Sequence, residues 1–339
     1  MHSLPRMTIL FLALVIPACK KKAPAAGPPP EVTLAEAVQQ DVPIYIEAVG
    51  ETRGSQTVEI RARVSGYLDA MTAVALAGAA TQRIELGTAI VPLQTRHPIA
   101  FAQQALTTHV ACSGRFAVGV GPSHHWIISD QLGLPYDRPA HLVRDYLEVL
   151  NAAFTPGSVD VENDSFRVHS PMDVSDPGAP PILLAALGPA MLRIAGEHAS
   201  GTILWMADER AVEDHVVPRI TDAATSAGRP VPRVVAGVPV ALCATDEIDD
   251  ARSYASEVLG HADFSPNYVR LLEHGDAEDV GDTMAAGDEA AIVGRLRRYR
   301  DAGVTDLAAR IVPLGSDVVT RRASHRRTQE FLASMGPDL

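Results

Sequence analysis

Between residues 71 and 335, short apolar stretches with strand character alternate with helical segments, and this alternation is what most constrains the fold. Apolar strands separated by helices imply a parallel sheet covered by helices, because parallel strands need a crossover connection. The pattern therefore predicts an α/β fold of the (β/α)8 TIM-barrel type. The predicted strands lie near residues 84–91, 116–121, 181–187, 201–205, 233–242 and 305–313.

The number of predicted strands indicates an incomplete barrel. Six strands are two fewer than the eight that a closed barrel needs. The stretch between Leu68 and Ile84 has room for one helix and no more, so the missing strands belong at the front. We expect a barrel that is open beside "IELGTAIV", with N-terminal strands covering part of the gap. A polar hairpin-like insertion is expected around "VDVENDSFRVH".

Composition excludes several classes of function. The chain has 339 residues, 47% of them hydrophobic, so it can bury a large core. Its formal net charge of −12 at pH 7 would repel a phosphate backbone, so nucleic acid is not an expected partner. Cys19, Cys112 and Cys243 are widely separated and lack metal-ligand spacing, which predicts neither a disulfide scaffold nor a metal site. Cys112 and Cys243 are expected to be buried.

The N-terminus has the features of an export signal. Arg6 precedes the apolar segment "MTILFLALVIPA", and the small residue Ala18 precedes Cys19. Residues 1–19 resemble a bacterial lipoprotein signal, which implies that Cys19 is lipidated and attaches the chain to a membrane or directs it to the periplasm. The Pro- and Ala-rich residues 20–30 are expected to form an extended tether.

Residues 31–68 form a third segment with β character. "VPIYIEAVG" and "QTVEIRARVSG" are strand-like, and the second alternates apolar and charged residues with a period of two. This segment resembles the opening of the periplasmic adaptor of a tripartite efflux pump. The resemblance ends at Leu68, since the heptads of the adaptor's helical hairpin do not follow.

The larger part of the chain resembles a different family. "IELGTAIVPLQTRHPIAFAQQALTT", "RFAVGVGPSHHW", "LGLPYDRPAHLVRDYLEVL" and "PILLAALGPAMLRIAGEHASGTILWM" are similar to the luciferase-like monooxygenase superfamily, in its branch that uses the deazaflavin coenzyme F420. The resemblance covers about residues 69–335, within a barrel domain assigned to residues 69–339. It implies a cytoplasmic oxidoreductase with a small-molecule substrate. FMN is the alternative cofactor. The resemblance leaves the oligomeric state undecided, with a homodimer as one alternative.

The candidate binding residues follow from where barrel enzymes place their sites. Active sites of such barrels lie at the carboxyl ends of the strands. The start of the helix at Pro189 offers free N–H groups and a helix dipole, which predicts a phosphate site. The resemblance implies a cis peptide between Ala89 and Ile90 behind the deazaflavin ring, and places the phosphate tail near Gly188. The predicted cofactor-binding residues are Thr88, Ala89, Ile90, Gly121, Ser123, His124, Ala186, Leu187 and Gly188.

Other polar and aromatic residues carry weaker signals. Gly119 is expected to allow close approach of a flat ring. His125 beside His124 could be a solvated turn residue, and His97 before Pro98 is expected to start a helix. Trp205 suits both a pocket and a core. "RRASHRRTQEF" is expected to be a solvated basic face, and no catalytic residue is assigned.

Three functions compete at this stage. The first is hydride transfer between F420 and a small substrate, in a chain whose activity the missing strands put in question. The second is an FMN-dependent monooxygenase of the same superfamily, and the third is a membrane-anchored efflux-pump adaptor. Because the two resemblances meet near residue 68, we hypothesise that the chain joins fragments of two genes, by genomic fusion or by an assembly artefact.

Overall fold

The computed structural model describes residues 70–172, 177–260 and 265–335. The predicted signal peptide with Cys19, the tether and the adaptor-like segment lie outside these residues. Those assignments, the joined-gene hypothesis and the covering of the barrel gap therefore stay predictions. Within the described part of the chain, no helix is both long enough and apolar enough to span a membrane.

The core of the fold is a parallel sheet. Its strands pair in the order β1, β3, β6, β7, β8, β10, while β2 also pairs with β3 and β9 also pairs with β8. All of these pairs are parallel. The bounds are Leu86–Gly87 (β1), Val91–Pro92 (β2), Phe116–Gly121 (β3), Ile182–Ala185 (β6), Gly201–Trp205 (β7), Arg233–Leu242 (β8), Ala285–Gly287 (β9) and Asp306–Ile311 (β10).

These strands occupy six positions across the sheet. β1 and β2 both pair with β3, against its first and last residues, so they are two halves of one interrupted strand. β10 pairs with residues 235–240 of β8, whereas β7 pairs with residues 233–237 and β9 with residues 240–242. β10 bonds some of the same β8 residues as β7 and β9 do, so it must lie on the other edge of β8. β7 and β9 therefore share one edge of β8, and β10 has the opposite edge.

The predicted TIM-barrel-like, incomplete α/β fold is confirmed.

Helices connect the strands and cover the sheet. The antiparallel hairpin of β4 (Gly157–Glu162) and β5 (Arg167–Met172) follows the third helix, as the polar insertion predicted. The helix bounds are Ala70–Ala80 (α1), Pro98–Ala111 (α2), Pro139–Ala153 (α3), Pro189–His198 (α4), Glu209–Ala211 (α5), Val217–Ser226 (α6), Ile248–Leu259 (α7), Pro266–Leu272 (α8), Glu289–Asp301 (α9) and Val318–Ser334 (α10).

Two elements differ from the sequence prediction. The three-residue strand β9 was not predicted, because "AAG" is too short and too small to show strand periodicity. The sequence of residues 209–227 predicts one continuous helix, and the structure divides it into α5, a π-helical turn at Val212–Val216, and α6. Single π-helical turns insert into α-helices and frequently mark functional sites.

Several smaller predictions can be compared with the structure. Cys112 is fully buried, and Cys243 is half-buried rather than buried. His97 is the residue before α2, and its Nδ1 accepts a hydrogen bond from the Ile99 N–H, which confirms its role at the helix start. In α10, Arg322, Arg326 and Arg327 are exposed, which confirms the solvated basic face.

Helices α4 and α6 pack closely because of one glycine. A Cβ built on Gly196 would lie 2.6 Å from both the Cβ of Ala223 and the carbonyl oxygen of Ile220. Real Cβ atoms do not approach backbone this closely, so a side chain at this position would force the helices apart. Gly294 in α9 has the opposite surroundings, with no atom within 4 Å of a built Cβ.

The two glycines provide a matched pair for a stability test. Alanine is a better helix former than glycine by about 0.5–1 kcal/mol, so Gly294→Ala should stabilise the protein by roughly that amount. Gly196→Ala gains the same propensity but should destabilise the protein by roughly 1–3 kcal/mol, since the overpacking dominates. Urea unfolding of both variants measures the difference. Equal changes in the free energy of unfolding would contradict the close packing of α4 and α6.

Candidate functional site

The carboxyl ends of the parallel strands meet at one edge of the sheet and bring the predicted binding residues together. A Cβ built on Gly121, at the end of β3, would lie 3.3 Å from Cδ1 of Ile90 and 2.9 Å from the Cβ of Ala185. The carboxyl ends of the first three sheet positions are therefore in direct contact: the first is β1 with β2, the second is β3, and the third is β6. Each one continues into a segment that contains predicted site residues.

The first end is the break between β1 and β2. The peptide bond between Ala89 and Ile90 is cis, as predicted. Thr88 is 6% exposed, and its hydroxyl donates to the carbonyl of Gly119 and accepts from the N–H of Gly119, both at 2.9 Å. The side chain thus replaces the ladder hydrogen bonds that the backbone cannot make across the break.

Gly119 has a structural role at this break. A Cβ built there would lie 1.8 Å from the carbonyl oxygen of Thr88. The expectation that Gly119 makes room for a flat ring gains no support from this contact, because the backbone of Thr88 already fills that space. Glycine is required so that the interrupted strand can approach β3.

The second end distinguishes the two adjacent histidines. His124 is half-buried and stacks on Trp126 with ring centroids 4.2 Å apart, and its ring also lies 5.8 Å from that of Tyr268 in α8. The side chain of His125 is 67% exposed, 3.8 Å from Asp130. Burial lowers the pKa of His124, so its imidazole is neutral at neutral pH.

The turn before these histidines has an unusual backbone conformation. Ser123 has a φ of 55°, in the left-handed region that few non-glycine residues adopt. Its carbonyl oxygen accepts a hydrogen bond from the hydroxyl of Tyr136 at 2.8 Å. This bond holds the turn in place, and Ser123 and His124 remain at the carboxyl end of β3.

The third end passes directly into helix α4. Gly188 is the residue before the helix, and Pro189 is the first helical residue, as predicted. Gly188 has no side chain to cap the N–H groups of the first turn, and no atom lies within 4 Å of a built Cβ. An open space therefore adjoins the positive end of the helix dipole, which is the geometry of an anion site.

The structure also places residues at this edge that the sequence did not single out. His215, in the π-helical turn before α6, donates from Nε2 to the carbonyl of Leu187 at 2.8 Å and stacks on His274. Gln94 donates from Nε2 to the carbonyl of Pro122 at 2.7 Å, and its Oε1 is buried without a hydrogen-bond partner. A histidine directly before two valines in "AVEDHVV" and a glutamine just after a strand were the available signals.

Trp205 lies at the end of β7 and packs over glycine. A Cβ built on Gly237 would be 2.7 Å from Cε3 of Trp205, so the indole packs against β8 and lies partly in the core. Met206 follows it with a φ of 61° and is fully buried. Within the described ranges, no three histidine, cysteine or acidic side chains are grouped as metal ligands.

The Thr88 hydroxyl provides a test of the break in the first strand. Thr88→Val keeps the shape but removes both hydrogen bonds to Gly119, leaving a buried N–H and C=O unpaired. We expect the free energy of unfolding to fall by about 1–3 kcal/mol, and Thr88→Ser to retain most of the stability because it keeps the hydroxyl. Urea unfolding measures the free energy of unfolding of both variants. If serine is as destabilising as valine, the methyl group contributes as much as the two hydrogen bonds, which would contradict the special role given to the hydroxyl.

A pH dependence follows from four buried or half-buried histidines. Burial is the largest cause of the lowered pKa values of His109, His124, His198 and His215. The unfolded chain therefore binds more protons than the folded chain as the pH falls through about 6.5. The contribution of these histidines to the free energy of unfolding is fully present above that pH and is lost as the pH falls. Each histidine contributes a slope of up to about 1.4 kcal/mol per pH unit.

Urea unfolding at several pH values between about 7.5 and 5.5 measures this slope. His215→Phe removes one of the four groups, so the slope should become smaller even if the overall stability also changes. A free energy of unfolding that stays constant over this range would show that these histidines titrate alike in the folded and unfolded chain.

Comparisons with known proteins agree on the family. The model of the luciferase-like monooxygenase family matches residues 47–306. The match begins within the segment 31–68 that resembles an efflux-pump adaptor, which is earlier than the predicted start near residue 69. It ends at the first residue of β10. The match thus covers most of the described sheet.

Two curated relatives cover most of their own length. The 5,10-methylenetetrahydromethanopterin reductase of Methanopyrus kandleri is 26% identical over 272 residues, which are 74% of this chain and 77% of the relative. The F420-dependent glucose-6-phosphate dehydrogenase of Nocardia farcinica is 30% identical over 258 residues, covering 69% of this chain and 75% of the relative.

Solved structures share the fold. The coenzyme F420 dependent tetrahydromethanopterin reductase from Methanopyrus kandleri has a TM-score of 0.59 at 24% identity, covering 78% of this chain and 86% of that chain. EDTA monooxygenase from Chelativorans sp. BNC1 has a TM-score of 0.60 at 14% identity, covering 80% and 79%. Given the family match and these relatives, the chain belongs to the luciferase-like monooxygenase family.

Proposed function

We propose that the chain is an oxidoreductase that binds coenzyme F420 at the carboxyl ends of its strands and acts on a small organic substrate. The observation that carries the proposal is the open, uncapped start of α4 at Gly188, which lies beside the joined ends of the first three sheet positions. The F420 dependence in the names of one curated relative and one similar structure supports the choice of cofactor.

The chain's own residues suit the two ends of such a cofactor. The backbone at Thr88, Ala89 and Ile90 would lie behind the ring, and the N–H groups at the start of α4 would donate hydrogen bonds to the phosphate. Gly121 serves mainly to let Ile90 and Ala185 meet, so its contribution to the site is the shape of this surface. When bound, a deazaflavin carries the hydride.

The polar residues at the second end would orient the ligand rather than react with it. The half-buried neutral imidazole of His124 can donate or accept one hydrogen bond, and stacking on Trp126 fixes the ring plane. The ring of Tyr268, itself only 9% exposed, also lies 5.8 Å from this imidazole, at an angle of 39°. These contacts support positioning by His124, and the proposal assigns no acid or base.

The alternative cofactor is FMN, since the fold is shared with monooxygenases. The fold alone does not separate the two cofactors, because EDTA monooxygenase and the F420 dependent reductase have nearly equal TM-scores. Titration of the full chain with F420 and, separately, with FMN decides between them by fluorescence quenching. Tighter binding of FMN would overturn the cofactor assignment while leaving the site in place.

Substitution of Gly188 tests the position of the phosphate. Gly188→Asp places a carboxylate where the phosphate is expected and lets it cap the same N–H groups, so F420 binding should weaken by about 1–3 kcal/mol, or roughly 5- to 150-fold. Its φ of −90° and the open space around it permit this side chain without strain. Calorimetry or fluorescence quenching gives the affinity.

Two control variants separate charge from size and capping. Gly188→Ala adds a Cβ without a hydrogen-bonding group and should bind F420 like the wild-type chain. Gly188→Asn caps the helix without a charge and should fall between alanine and aspartate. Equal affinity of all three folded variants would show that the phosphate does not bind at the start of α4.

A further inference from the structure

His215 is a buried imidazole with one hydrogen-bond partner. It is 1% exposed and lies in the π-helical turn Val212–Val216, and its Nε2 is 2.8 Å from the carbonyl oxygen of Leu187. A carbonyl can only accept, so Nε2 must carry the hydrogen. Nδ1 is buried without a partner, which makes it the unprotonated nitrogen of a neutral ring.

A second histidine fixes the plane of this ring. The imidazole of His274, in the loop after α8, stacks on His215 with ring centroids 3.9 Å apart and an interplanar angle of 13°. The stack prevents rotation of the His215 ring away from Leu187. Burial is the largest cause that lowers the pKa of His215; the hydrogen bond to Leu187 raises it, and His274 and Arg219 lower it, so the net shift is downward and favours the neutral form.

The bond to Leu187 determines the direction of the next peptide group. Leu187 directly precedes Gly188, and the carbonyl of one residue and the N–H of the next lie in one plane and point in opposite directions across a trans peptide. With the Leu187 carbonyl directed at His215, the Gly188 N–H is directed away from it. The same peptide plane leads into the first turn of α4.

We propose that His215 is a positioning residue for the anion site at the start of α4. Its Nε2–H holds the Leu187 carbonyl, and thereby sets the peptide that leads into Gly188 and the uncapped N–H groups. The stacked His274 holds His215 in the orientation that makes this bond. This role rests on the proposed function, because the anion concerned is the phosphate of the bound cofactor.

The first experiment determines the tautomer and needs no ligand. In the full chain labelled with 15N at histidine, long-range proton–nitrogen correlation at neutral pH should show His215 protonated at Nε2 and unprotonated at Nδ1. The Nδ1–H tautomer would overturn the proposal, because it could not donate to Leu187.

The second experiment separates positioning from stability. His215→Phe keeps a planar ring for the stack but loses the donor, so F420 should bind about 5- to 30-fold more weakly. His215→Gln supplies an amide donor and should restore most of the affinity. The control is Tyr299→Phe, which removes a buried hydroxyl that donates to carbonyls outside α4, those of Ala207 and Thr283, each 3.1 Å away.

The control should lower the melting temperature without changing the affinity for F420. Wild-type affinity in folded His215→Phe, or no recovery in folded His215→Gln, would overturn the positioning role. If Gly188→Asp loses binding while His215→Phe keeps it, only this inference fails.

If the wild-type chain binds no F420, the proposed function fails, and inorganic phosphate becomes the probe. Phosphate should then shift the amide signals of Gly188 and Ala190 in the wild-type chain and in His215→Gln, but less in His215→Phe. Equal shifts in all three, or none in the wild-type chain, would overturn the positioning role.

Discussion

The close approach of Thr88 to Gly119 is the contact on which the shape of the site depends. Because the first strand is interrupted between β1 and β2, its backbone cannot continue the ladder with β3. The Thr88 hydroxyl supplies both missing hydrogen bonds, and Gly119 supplies the space. The strand then resumes in the same sheet position, with Ile90 directed towards Gly121, so the first two strand ends form one surface.

The electrostatics of this edge suit an anion within an acidic protein. The chain carries a formal net charge of −12, yet the groups at or next to the start of α4 are a helix N-terminus and the imidazole of His215, whose pKa is lowered mainly by burial. Asp208 is the first acidic residue after β7. Its carboxylate already accepts hydrogen bonds from the N–H groups of Ala211 and Ala277, both at 2.8 Å. Local dipoles can therefore favour a phosphate although the overall field does not.

The sequence predicted the parts of this fold that repeat locally. The alternation of apolar runs and helices located all six sheet positions, and the Gly188–Pro189 pair located the start of α4. The cis peptide at the break in the first strand was expected from family resemblance and not from periodicity. His215 and His274 are 59 positions apart, and both lie outside the strand ends, so no local pattern indicates that they stack. Contacts between loops depend on packing, which a periodic pattern does not describe.

The packing of α1 limits where the enzyme-like part of the chain can begin. The guanidinium of Arg115, just before β3, donates to the carbonyls of Gly78 at 2.9 Å and Ile84 at 2.7 Å. Gly78 also contacts Cys112 so closely that a Cβ there would be 2.3 Å from the Sγ atom. Removal of α1 would therefore take away one of the carbonyl partners of this half-buried cation and expose the end of α2. Any boundary between two fused segments would therefore precede Ala70. The family match starts at residue 47, inside the adaptor-like segment, and thus earlier than the predicted boundary near residue 68.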